Sequence, residues 1–206
     1  MLLLTTTLAS PLFASDEEAA DGKPVMITKE LYSLTVTHKG KKLEIKRNQD
    51  RGNQLKEYYR ATWRSRIQPM TPFEPHRVET IGELEMLDYI RRLDEGDDSI
   101  LIIDSRLPRS TQRGMIPLAV NIPYRQLKGE TMAEIMQLEF GVTAGDPVWN
   151  FRDAKTLVMY CNGPWCGQSP TAIKRLLRAG YPASRIKYYR GGMQSWESFG
   201  LTVVAP

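Results

Sequence analysis

Two cysteines, Cys161 and Cys166, are the side chains of this 206-residue chain best suited to covalent chemistry. They share the segment Cys161-Asn162-Gly163-Pro164-Trp165-Cys166-Gly167-Gln168-Ser169-Pro170, which follows the apolar run Leu157-Val158-Met159-Tyr160. An apolar run, a loop with Gly and Pro, and then Ser-Pro before a helical pattern read as strand, tight loop and helix. Ser169 suits the N-cap of that helix and Pro170 its first position. Cys161 is therefore placed at the carboxyl end of a strand, beneath backbone N–H groups and the positive end of a helix. Such a setting lowers a thiol pKa and favours the thiolate, which is the nucleophile. The competing reading is a buried Cys packed as a small hydrophobe, and the loop chemistry favours the reactive one. Cys166 lies five residues on, near enough to pair with Cys161 if the loop bends. A thiol there could attack a persulfide on Cys161, release sulfide and leave a disulfide. The alternative is that Cys166 packs beside Trp165.

Other chemistries find less support. His38 and His76 are the only histidines and lie far in sequence from Cys161, so nothing supports a Cys/His dyad. No Cys/His cluster has zinc-site spacing, and neither a metal nor an organic cofactor is implied. An apolar content of 41% with 25% charged residues is that of a soluble globular protein, and the length suits one domain plus an appendage. The net charge of +4 is uneven: residues 38–66 hold ten Lys or Arg against Glu44, Asp50 and Glu57. Tyr58, Tyr59 and Trp63 interleave with that basic stretch, but no nucleic-acid motif accompanies it. We read it as a solvated face with the aromatics packed inward, open to a protein partner for residues 25–76 and not to nucleic acid.

The elements that must position the thiols follow from periodicity. From residue 77 onward helices and strands alternate. Thr80-Ile81-Gly82-Glu83 has the form of a capping box, with Ile81, Leu84, Leu87 and Ile90 at helical spacing and Gly96 closing the segment. Ile100-Leu101-Ile102-Ile103 is too apolar to face water on either side, as parallel strands usually are. Ala119-Val120-Asn121-Ile122 reads as a second strand. Thr131-Met132-Ala133-Glu134 is a second capping box, opening a helix that ends near Gly141. Beyond Cys161, Ile173, Leu176 and Leu177 share one helical face, stopped by Gly180 and Pro182. Lys187-Tyr188-Tyr189 reads as a strand, and Met193 to Phe199 as a last helix with Trp196 in the core. The result is an α/β domain with a largely parallel sheet flanked by helices.

The N-terminal part divides in two. Residues 1–15 read as a secretory leader: an apolar stretch from Leu2 to Ala14, too short to span a bilayer, turns abruptly acidic at Asp16-Glu17-Glu18. No positive residues precede it. The leader predicts a periplasmic or secreted protein, with no further hydrophobic stretch to anchor the mature chain in a membrane. Residues 16–76 form a small accessory segment, with a β-hairpin over residues 25–45 turning at His38-Lys39-Gly40-Lys41 and a short helix within residues 55–63.

Three segments, over roughly residues 78–204, resemble a rhodanese domain. Asp104-Ser105-Arg106, followed by Gly114, Ile116-Pro117, Ala119 and Asn121-Ile122-Pro123, is similar to the family's first motif. The strand ending in Cys161 matches its nucleophile position. Tyr189-Arg190-Gly191-Gly192-Met193, Trp196 and Gly200-Leu201 are similar to its C-terminal signature. The resemblance implies a sulfurtransferase: Cys161 accepts sulfane sulfur from thiosulfate or a related anion and passes it, as a persulfide, to a thiol or cyanide.

This chain departs from that pattern in the loop. Family loops are commonly six residues from the Cys and often hold Arg, whereas Ser169 is eight residues from Cys161 and the first Arg is Arg175. Backbone amides of Asn162, Gly163, Trp165, Gly167, Gln168 and Ser169, with the helix terminus, would have to hold the anion alone. The missing cation also weighs against the rhodanese-related phosphatases and arsenate reductases. Asp104 and Arg106 read as braces for nearby loops. Two alternatives stay open: a non-catalytic rhodanese-fold binding module, and a Cys161/Cys166 dithiol redox protein.

Overall fold

The computed structural model describes residues 22–145 and 149–206. The expected leader, residues 1–15, lies outside the described residues. A five-stranded parallel sheet carries the site. Its strands are β3 (Glu79–Ile81), β4 (Ile100–Asp104), β5 (Val120–Asn121), β6 (Thr156–Tyr160) and β7 (Ile186–Tyr189), in the order β3-β7-β6-β4-β5. Each adjacent pair is parallel. An antiparallel hairpin, β1 (Ser33–His38) and β2 (Lys41–Lys46), precedes it. Its two-residue turn, Lys39-Gly40, has φ of 50° and 76°, the left-handed pair that matches the twist of a hairpin.

Alternation along the central strands builds two cores. Leu157 and Met159 of β6 face one side with Ile103, while Val158 and Tyr160 face the other with Ile102. The first face is covered by α4 (Gly129–Leu138) and α5 (Gln168–Arg178), which buries Ala172, Ile173, Leu176 and Leu177 at helical spacing. Fully burying each Leu or Ile contributes about 1.5–3 kcal/mol. The second face is covered by α2 (Glu83–Asp94) and α6 (Gly192–Ser198), and also by Val36, Ile45 and Tyr59 of the accessory segment. That segment includes α1 (Glu57–Arg60), and a short α3 (Pro108–Thr111) follows β4. Lys46 and Thr202 bond through their backbones, which ties the hairpin to the C-terminal end of the chain.

Helix starts differ from their sequence signatures. Thr80 lies within β3, paired with Tyr188, and α2 instead starts after Gly82, whose N–H donates to Glu85. Sheet pairing has claimed the residue that would have capped. In consequence Leu84 is exposed, and Met86 joins Leu87 and Ile90 on the buried face. Thr131 sits inside the first turn of α4 rather than at its cap. Helix α5 starts at Gln168 with Gly167 as N-cap, so Ser169 and Pro170 are in its first turn. Only the six residues 162–167 separate Cys161 from that helix. Tyr59 packs inward as the basic stretch predicted, but Trp63 is exposed.

Candidate active site

Cys161 directly follows β6, one of the three inner strands, where loops leave the carboxyl edge of the sheet and sites in open α/β sheets commonly form. The loop folds back on itself through the Cys166 N–H, which donates to the Gly163 carbonyl at 2.9 Å. Its lower end is held by α6: the N–H groups of Met193 and Gln194 donate to the carbonyls of Cys161 and Asn162 at 3.0 and 2.9 Å. The C-terminal Gly-Gly-Met thus works as a clamp on the loop. Gly192 has φ of 55°, and a Cβ there would fall on the Cys161 carbonyl oxygen. Gly192→Ala is expected to destabilise the fold by about 2 kcal/mol or more, combining left-handed strain with this clash. Thermal melting checks the stability loss, and the displaced loop should take up sulfur poorly.

Both thiols are free and buried, and they lie together. The Cys161 thiol donates to the Cys166 carbonyl at 3.4 Å, and Asn162 Nδ2 donates to Cys166 Sγ at 3.6 Å. Burial pushes the Cys161 thiol well above its ordinary value, its contact with Cys166 adds to that, and Ser169 pulls the other way. Cys166 moves oppositely: its contact with the Cys161 thiol holds it down to about 6 against burial, aided by the amides of Asn162 and Gln168. The sequence placed the thiolate on Cys161. Burial acts to raise the Cys161 thiol, whereas contact with Cys161 and the amides of Asn162 and Gln168 lowers Cys166, so the shift at Cys161 runs opposite to the one its strand-end position suggests.

A depressed thiol pKa fixes the sign of a pH effect. The thiolate, and the stability it contributes, is fully present above the ordinary thiol pKa and is lost as pH falls through about 6. Thiolate absorbance in the ultraviolet should therefore disappear near pH 6 on acidification, and Cys166→Ser should remove that transition.

Several polar groups close to the pair are left without partners. Asn162 Oδ1, Gln168 Oε1 and Tyr188 OH are buried with no hydrogen bond among the described residues. Ser169 and Tyr188 both interact with the thiols: Ser169 lowers the Cys161 thiol, and the two cysteines raise the Tyr188 hydroxyl, which burial raises most. Unsatisfied buried polar groups are rare in folded proteins and suit a site built for a ligand.

Asp104 and Arg106 brace the neighbouring loop. The Asp104 carboxylate accepts from Arg106 Nε and Nη2 at distances down to 2.6 Å, and both side chains are fully buried. Arg106 also donates to the carbonyls of Ser110 and Gly114 and to the Tyr59 hydroxyl. Asn121 Nδ2 secures the same turn through the carbonyls of Asp104 and Arg106.

The accessory segment supplies residues that the sequence did not single out. Gln194 Nε2 donates to the Tyr59 carbonyl, while Gln194 Oε1 accepts from Trp165 Nε1. The Gln68 N–H donates to the Pro164 carbonyl at 2.8 Å, and Arg190 donates to the Gln68 carbonyl. Arg64 stacks 3.8 Å from the Tyr58 ring centroid, and Tyr58 meets Trp165. Residues 58–68 therefore pass over the loop as a strap. Gln194 had one signal in the sequence, its position two residues after the Gly191-Gly192 pair; within the strap only Tyr58, Tyr59 and Trp63 stood out, as aromatics of the basic stretch, and nothing tied them to the loop.

The sequence pattern of the family described as Rhodanese-like domain matches residues 86–199. The chain belongs to the rhodanese-like family. A sulfurtransferase of Allochromatium vinosum is 28% identical over 126 residues, covering 61% of this chain and 97% of that protein. An HTH-type transcriptional regulator of Mycobacterium tuberculosis is 29% identical over 116 residues, or 56% of this chain. The chain spans only 42% of the regulator's length. Among solved structures, a Bacillus halodurans protein is 18% identical with a TM-score of 0.46, covering 62% of this chain and 77% of that one. A rhodanese-related protein of Thermoplasma volcanium is 20% identical with a TM-score of 0.40, covering 62% of this chain and 99% of its own. Among the described residues of this rhodanese-like chain, no helix is long and apolar enough to cross a membrane.

Proposed function

We propose that the protein is a sulfurtransferase in which Cys161 carries sulfane sulfur from a small anionic donor, such as thiosulfate, to a thiol or cyanide. The observation that supports this most is the position of Cys161: at the end of an inner strand, under the α5 N-terminus, with a second thiol against it. Membership of the rhodanese-like family and similarity to a protein named sulfurtransferase agree with the reading. Cys161 attacks the outer sulfur of thiosulfate, its S–S bond breaks, and sulfite leaves. The proton held on Cys161 stays with the transferred sulfur, giving Cys161–S–SH. Loop amides and the Ser169 and Tyr188 hydroxyls stabilise the anion without an Arg.

Sulfite release tests the first half-reaction directly. One sulfite per chain from thiosulfate, without any acceptor, is the expected result. No sulfite, and no shortening of a polysulfide, would end the proposal. A periplasmic or secreted location belongs to the same proposal and rests on the apolar residues 2–14.

A second reading, a non-catalytic binding module, draws on one observation. Trp63, Ile67 and Met70 are all exposed along the strap and its continuation. A stable complex through these residues, with no sulfur uptake from any donor, would favour that module over the enzyme.

A further inference from the structure

The pairing of the two thiols has a chemical outcome beyond simple sulfur transfer. Resting on the sulfur-transfer reading above, we propose that Cys166 is the resolving nucleophile of the loop, converting the Cys161 persulfide into hydrosulfide and a Cys161–Cys166 disulfide. The Cys166 sulfur attacks the inner sulfur of Cys161–S–SH. A Cys161–Cys166 S–S bond forms, the persulfide S–S bond breaks, and HS⁻ leaves with the proton it already carries. The sulfane sulfur is reduced by two electrons, and the two cysteines are oxidised by two. A small thiol or a dithiol protein returns the electrons by thiol–disulfide exchange and opens the next cycle.

Geometry carries this inference in three ways. The hydrogen bonds from Cys161 Sγ to the Cys166 carbonyl and from Asn162 Nδ2 to Cys166 Sγ hold the two thiols on the inner side of one reversed loop. The reversal is fixed by the Cys166–Gly163 backbone bond, so the attacking sulfur needs no long excursion. Burial then favours the internal thiol over any external one: Cys161 is 2% exposed and Cys166 4% exposed, beneath the strap. An internal thiol also competes at an effective concentration of at least the mM order. The lowered pKa of Cys166 supports the role, since the attacking group must be the thiolate.

The test uses the whole reduced chain, freed of reductant and given one equivalent of thiosulfate. Intact mass, mapped peptides, sulfite and hydrosulfide are all measured. The expected result is sulfite and hydrosulfide in equal amounts, with the chain lighter by two hydrogens and Cys161 joined to Cys166. Cys166→Ser should instead hold one extra sulfur on Cys161 and release no hydrosulfide. A wild-type chain that releases sulfite but keeps the sulfur on Cys161, with Cys166 free, overturns this inference and leaves the transfer reading standing. Sulfur mapped to Cys166 reverses the two roles and also overturns it. A wild-type chain that neither releases sulfite from thiosulfate nor shortens a polysulfide removes both readings together. Because the wild-type chain alone separates these outcomes, the test survives even if Cys166→Ser folds poorly.

Discussion

Cys161→Ser is expected to lower sulfite release from thiosulfate by on the order of 10³-fold or more, the scale of loss when a covalent nucleophile is removed. The hydroxyl has nearly the thiol's size but cannot ionise in a site that holds even a thiol protonated. Melting behaviour should change little beside that, since Cys161 contributes one small buried side chain and its carbonyl contact to α6 remains. The comparison with Cys166→Ser is instructive. If Cys161 is the sulfur carrier, only the first substitution stops sulfite release within a single turnover. Full release from Cys161→Ser would transfer the nucleophile to Cys166.

The largest stability effect is expected at the Asp104–Arg106 pair. Asp104→Asn should destabilise the fold by about 3–5 kcal/mol, because it strands a guanidinium with no access to water. The loss should appear as a lower midpoint in urea denaturation. Arg106→Met should cost a similar amount, now by stranding the carboxylate and freeing the carbonyls of Ser110 and Gly114. Combining Asp104→Leu with Arg106→Met should recover part of the loss, since paired buried charges can be replaced together more cheaply than singly. Additive losses in the double variant would show that the carbonyl contacts, and not the ion pair, dominate.

What the sequence made legible follows the range of the interactions concerned. Strands β4 and β6 were readable because both faces are buried, which forces an apolar residue at nearly every position. The hairpin turn was readable because Lys39-Gly40 needs left-handed backbone at both places. Capping signatures were less dependable. Thr80 has the right neighbours for a cap but pairs in β3, and Ser169 lost its expected place when α5 began at Gln168. The thiol pair shows a different limit. Strand-end position predicted a lowered pKa at Cys161, yet burial pushes that thiol up while contact with Cys161 and nearby amides lowers Cys166, because burial and the aim of individual donors decide the direction. The strap was invisible for a third reason: its contacts join an irregular segment to residues far along the chain.

That strap separates what the family domain is from what governs it. A donor that reaches the thiols by parting residues 58–68 from the loop must first break the Gln68–Pro164 bond and the Tyr58–Trp165 contact. Its apparent affinity is lowered by the fraction of time the covered arrangement prevails. Under the proposed function, substrate affinity would then depend partly on a stretch outside residues 86–199. Two proteins with identical thiol loops and different straps would perform the same reaction at different concentrations of donor.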